Sequence, residues 1–392
     1  MLKRQFGKGW ANPIRHLVKD WQFHRGFVEG ITIRAADFLD HAAELFQAAP
    51  ICHVRLLDPE TQLSAIAASP WLDRISSLDL RHTVADWGTM ADLIYSPSVI
   101  QLKELNLRGT GMCNTQGMRM LADSEFLRNL RTLDLSQYGH PQWEGGGATE
   151  RAGSQGIHAL DGSPHLNSLR NLKLGGYGRA GSSMIVALSE SSLLGQLQSL
   201  DISHNQSFIY HQENHHLDIV LDHLLRSPQV QNLRHLALVR IHAGSSANAF
   251  VESPYLRNLQ SLAIVGTWLD THGQQTITRV LGESPNLNNL VSLSLAGCTI
   301  NDSAYRDLFA SDQFHNLKEL NLSETHISNE SLAELADSSL MENLRSLKLQ
   351  GSDGGYQKSS LTGEGLRAFV KKKTARHLEV LDLGNQPIGE EL

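Results

Sequence analysis

The chain has 392 residues, 41% hydrophobic and 19% charged, a balance ordinary for a globular protein. A formal net charge of -7 and a pI near 6.2 argue against a general nucleic-acid binder, which would show a basic face, and give no reason to expect attraction to anionic membranes. Cys52, Cys113 and Cys298 are too few and too scattered for a disulfide framework.

The amino terminus begins basic and lacks the apolar stretch of a signal peptide. No run of about 18 apolar residues occurs, so no membrane span is expected. A reducing, cytoplasmic setting is the expectation.

Residues 1–50 do not repeat. They contain the run Trp21 to Glu29, then Phe38, Leu39, His41, Leu45 and Phe46 before Pro50. The pattern predicts a strand around Val28 to Ile33 and an amphipathic helix over Ala36 to Ala48. Because a terminal repeat needs a polar-faced cap to avoid exposing core, this segment is expected to be one. Val54 and Leu56 then suggest a degenerate first strand.

From there the chain repeats a Leu-x-x-Leu-x-Leu core, as in Leu102-Lys103-Glu104-Leu105-Asn106-Leu107 and Leu317-Lys318-Glu319-Leu320-Asn321-Leu322. The fourth position recurs at Leu78, Leu105, Leu133, Leu172, Leu200, Leu236, Leu262, Leu293, Leu320, Leu347 and Leu381. Most spacings lie between 26 and 31 residues, with stretched ones of 39, 36 and 34. A core of this form, repeating with a period in the twenties, marks a leucine-rich-repeat solenoid. Each core reads as a short strand with alternate side chains inward, followed by a helical stretch such as Leu332, Leu335 and Ala336. Several helices stop at Ser-Pro pairs, among them Ser96-Pro97 and Ser253-Pro254; proline lacks the amide proton that would continue the helix.

A strand plus a full helix in about 27 residues resembles the ribonuclease-inhibitor-like subclass of leucine-rich repeats. The resemblance covers roughly residues 50–392. It implies an α/β solenoid, a right-handed horseshoe with parallel strands on the concave face and helices on the convex face. The expected division is a cap over 1–50 and about eleven repeats over 51–392. The first segment is also similar to that of bacterial leucine-rich-repeat proteins bearing a repeat-companion domain, although the companion domain itself is missing. That likeness implies no activity.

The candidates for chemistry are weak. Gly176-Tyr177-Gly178-Arg179-Ala180-Gly181 matches G-x-G-x-x-G, with Asp201 following. In a dinucleotide site such glycines bring backbone amides against a pyrophosphate. Asp201, however, lies inside the next repeat strand, and a glycine-rich repeat loop is the preferred reading. In the histidine-rich insertion, His215, Asp218 and Asp222 would share one helix face, where imidazole and carboxylate suit zinc or nickel; a solvated face is preferred. Cys298, at the ninth position of its repeat, reads as a buried structural thiol. Lys371-Lys372-Lys373 read as a solvated helix end. No H-E-x-x-H, Walker or G-x-S-x-G motif occurs. Neither catalysis nor a cofactor is expected.

Binding is the stronger expectation. The third, fifth and seventh residues of each core should face solvent. At the fifth and seventh positions early and late strands are polar, whereas Ala237, Val239, Ala263, Val265 and Ala296 form a small apolar block, with His235 beside it and Trp268 on its rim. Such a patch rimmed by polar residues suggests a protein partner of unknown identity, with the aromatic as anchor. Trp143, in the long insertion after Leu135, is a second contact candidate. The alternatives are a nucleotide- or metal-dependent regulator or enzyme, and a purely structural spacer.

Overall fold

The computed structural model describes residues 13–137, 153–177, 180–205, 215–239, 247–266, 277–351 and 361–386. The chain forms two compact units, Met1–Ala180 and Gly181–Leu392.

The first unit begins with an antiparallel pair, β1 (Asp20–His24) and β2 (Phe27–Arg34). The helix Ala35–Ala48 follows, burying Ala35, Phe38, Ala42 and Leu45 at three- and four-residue spacing. The parallel ladder then runs β2, β3 (His53–Leu57), β4 (Ser77–Asp79), β5 (Glu104–Asn106), β6 (Thr132–Asp134) and β7 (Asn171–Lys173). The strand expected around Val28 and the degenerate strand at Val54 are both present. Ile31 pairs with Val54 and Val54 with Leu78, so the repeat register reaches back into the non-repeating segment. Among the described strands, only β1 had no counterpart in the sequence pattern.

The second unit contains β8 (Ser199–Asp201), β9 (His235–Val239), β10 (Ser261–Val265), β11 (Ser292–Ser294), β12 (Glu319–Asn321), β13 (Ser346–Lys348) and β14 (Val380–Asp382), all parallel neighbours in chain order. The marker leucines pair with one another in register, Leu200 with Leu236 and onward to Leu347 with Leu381. Ten of the eleven are at most 2% exposed, which fixes the inward face; Leu381, on the last described strand, is half-buried. Helices supply the other side of each core: in Asn329–Asp337, for example, Ser331, Leu332, Leu335 and Ala336 are buried. This is an α/β leucine-rich-repeat solenoid.

Two polar ladders join successive repeats. At the end of most helices a serine donates its hydroxyl to a carbonyl one repeat earlier, as in Ser96 to Ala67 at 2.6 Å, Ser253 to Leu225 at 2.5 Å and Ser284 to Phe250 at 2.5 Å. The same oxygen accepts the amide two residues on, with proline opening the 3₁₀ turn that follows Ser96, Ser227 and Ser253. The Ser-Pro pairs are therefore inter-repeat joints as well as helix stops. On the surface, Asn129, Asn258 and Asn289 each donate to a carbonyl of the preceding repeat, at 2.7–2.9 Å. Side-chain bonds of this kind satisfy backbone groups that helix ends leave open.

Candidate functional site

The fifth residue of six cores caps the end of its strand. Asp79, Asn106, Asp134, Asp201, Asn321 and Asp382 each accept the backbone amide two residues later, at 2.9–3.1 Å. This local bond competes with continued ladder pairing, and all six strands are three residues long. In β9 and β10 the fifth residue is Ala237 or Ala263, which offers no acceptor. Both strands run to five residues, pairing Ala237 with Ala263, Leu238 with Ile264 and Val239 with Val265. Lys173, Ser294 and Lys348 occupy the same position in three-residue strands, so the missing acceptor permits extension without forcing it. The β-branched Val239 and Val265, opposite each other, favour the extended backbone.

The result is a lengthened two-strand ribbon in the second unit. Leu236, Leu238, Leu262 and Ile264 point into the core, while Ala237, Val239, Ala263 and Val265 lie half-buried on the other face. Ala296 joins them: its carbonyl accepts the amide of Gly266 at 2.7 Å, and its side chain is also half-buried. His235 is exposed at the start of β9, paired with Ser261. Trp268 lies outside the described residues, as does Trp143. Six of the seven expected partner-binding residues are thus brought onto one patch.

The corresponding face of the first unit is charged. Arg81 forks onto the Asp79 carboxylate, its Nε 2.8 and 3.0 Å from the two oxygens; this bonding raises the guanidinium pKa. Lys173 lies 3.9 Å from the nearly buried Asp134.

The sequence's chemical candidates resolve in different ways. Gly176 has φ +84°, at the eighth repeat position, where His82, Gly109, His204, Gly266, Gly297, Glu324 and Asn385 also adopt positive φ. Its glycine therefore serves the repeat turn. A Cβ on Gly181 would meet the Asn205 side chain at 2.8 Å, so that glycine allows close packing. Tyr177, between them, is buried and donates its hydroxyl to the Leu135 carbonyl at 2.7 Å. Gly178 and Arg179 lie outside the described residues. Asp222 receives the Arg226 Nε at 2.9 Å on both oxygens, and Arg226 also bonds Glu252. The side chains of His215 and Asp218, in the helix His215–Arg226, lie outside the described residues. Cys298 is buried, with its thiol 3.1 Å from the Ile264 carbonyl. Burial also pushes the Cys113 thiol up to about 12, a structural environment for a thiol. Lys372 binds Asp337 on an exposed helix end.

One constellation had no sequence signal. Single ligand atoms of Glu29, Cys52 and His53 lie within 4.8 Å of one another. Pairing of β2 with β3 brings them together; their spacing along the chain matches no metal motif.

No helix among the described residues is long and apolar enough to cross a membrane. Residues 247–388 match a family model described as "FBD-associated F-box protein At5g56370, LRR repeats". Among solved structures, a chain of the yeast Rad7 and Elc1 complex is similar, with 17% identity, a TM-score of 0.55, and coverage of 91% of this chain and 83% of that one. A protein from Bacteroides fragilis shows 22% identity and a TM-score of 0.39 over 58% of this chain and 62% of its own. No curated protein matches. The aligned leucines, their buried register and the matched repeats make this a leucine-rich-repeat protein.

Proposed function

We propose that this protein is a non-catalytic scaffold that binds a protein partner on the outward face of β9, β10 and β11. The observation that carries the reading is the lengthened ribbon, whose outer positions are Ala237, Val239, Ala263 and Val265, continued by Ala296. Small, half-exposed apolar side chains on a rigid ladder lose little rotamer entropy when covered. They gain from desolvation, where a charged row would have to be matched. His235 would lie on the polar rim, and Trp268 is the proposed aromatic anchor. Two comparisons support an interaction role without defining it: the matched family description concerns the repeats of an F-box protein, and the similar yeast chain comes from a two-protein complex.

The test is capture of partners from the native cell with wild-type protein, Val265→Glu and Asp382→Ala. A partner bound by wild type and Asp382→Ala but lost from Val265→Glu supports the reading. A partner retained equally by both variants would remove this patch from consideration and turn attention to the segment around Trp143. Nucleotide- or metal-dependent regulation stays a second reading for the Gly176–Gly181 loop and the histidine-rich insertion. A thermal shift with nucleotides or divalent ions tests it.

A further inference from the structure

From the geometry of the first unit we infer that Glu29, Cys52 and His53 form a binding site for a divalent transition-metal ion of the zinc class, fastening β2 to β3. The three residues offer a carboxylate oxygen, a sulfur and an imidazole nitrogen within 4.8 Å of one another. A tetrahedral zinc ion with bonds of about 2.0–2.3 Å would draw these atoms together by roughly an ångström. His24 contacts the His53 ring, with centroids 5.5 Å apart, but does not belong to the ligand group; a water takes the fourth position. Thiolate with imidazole selects zinc, cobalt or copper over magnesium or calcium, which prefer oxygen alone.

The backbone beneath these donors is already fixed. Cys52 donates its amide to the Glu29 carbonyl at 2.9 Å, and its own carbonyl accepts the amides of Ser76 and Ser77 at 2.8 and 3.0 Å. His53 pairs with Gly30, where a Cβ would stand 3.6 Å from that of His53. Ligands on rigid strands need little ordering when the ion arrives.

The surroundings favour a cation. The Glu29 side chain is only 10% exposed, yet its ion-pair partner, Arg25, is 87% exposed and stands 3.5 Å away. A nearly buried carboxylate with so loose a partner is costly, and a metal ion would compensate its charge directly. On binding, the thiol gives its proton to solvent and the sulfur coordinates as thiolate.

The experiment uses the full chain, stripped with a chelator and titrated with Co²⁺, because a thiolate–cobalt bond produces a charge-transfer absorption that histidine or carboxylate binding does not. Wild type should show this band at one equivalent, with Zn²⁺ displacing it. Cys52→Ser should lose the band. His53→Gln and Glu29→Gln should weaken Co²⁺ binding by more than the roughly 10- to 100-fold that loss of an outer-shell partner costs. Circular dichroism establishes folding of each variant. Should Cys52→Ser not fold, the other two decide, and wild-type affinity in both overturns the site. Absence of the band from wild type overturns it, and so does a band that survives Cys52→Ser. Cobalt binding without a thiolate band would place the metal elsewhere, such as the histidine-rich insertion, and also overturns it.

Discussion

Strands β4–β6 of the first unit and β9–β10 of the second share one inward leucine register and differ in what they show outward. In the former, Asp79, Asn106 and Asp134 turn back on the amide two residues later and end the strand at three residues. In the latter, Ala237 and Ala263 offer that amide no side-chain acceptor; the Val239 amide bonds the Ser203 hydroxyl at 3.1 Å, and each strand runs on to a valine. A side-chain acceptor at this position thus goes with a three-residue strand and a polar outer face, while its absence permits a longer, apolar one. Core and surface are specified separately within the same six residues.

The largest expected effect tests whether the core is common to both regions. Leu133→Ala and Leu293→Ala should each lower stability by about 2–5 kcal/mol, measured by urea unfolding. A cost confined to one of the two would break the shared register. Next comes binding. Val265→Glu should weaken a captured partner by about 2 kcal/mol, roughly 30-fold, while its far-ultraviolet circular dichroism matches wild type. A glutamate placed on the capped face, Asn106→Glu, should leave that affinity unchanged.

The inter-repeat joints rank below these. Ser284→Ala removes a fully buried hydroxyl and leaves the Phe250 carbonyl without its donor, so about 1–3 kcal/mol should be lost. Asn289→Ala breaks a bond to the Arg257 carbonyl that water can replace and should cost less. Equal losses in unfolding experiments would show that burial does not separate the two ladders. Asn106→Ala, which converts a capped strand towards the alanine type, should cost about 1 kcal/mol; the amide of Arg108 should then exchange faster with deuterium.

The smallest effect is a pH dependence. Hydroxyls of Ser331 and Ser328 donate to the Asp302 carboxylate and, with Arg306 nearby, hold its pKa below the ordinary value. A depressed folded pKa contributes stability above the unfolded value of about 3.9, and this is lost as pH falls through the lower folded value. Between pH 7 and 3, wild type should therefore lose more stability than Asp302→Asn in urea titrations. Parallel curves would assign the serines a purely packing role.

The leucines were legible because burial of one strand face imposes a period of two within each strand, and stacking imposes a second period on the chain. Eleven marker leucines read from spacing alone fall on eleven paired strands, and the outward identity of Ala237, Val239, Ala263 and Val265 follows from the same alternation. What the sequence could not decide depends on groups far apart along the chain. The serine before proline reads as a local stop signal, and only packing reveals the carbonyl it reaches one repeat earlier. Gly176 matches a nucleotide motif by its neighbours, yet its positive φ belongs to a turn shared by seven other repeats. Glu29 sits more than twenty residues before Cys52 and His53, and only the pairing of β2 with β3 makes them neighbours. Periodic burial is written locally and can be read locally, whereas hydrogen-bond partners and ligand sets are settled by which strands lie side by side.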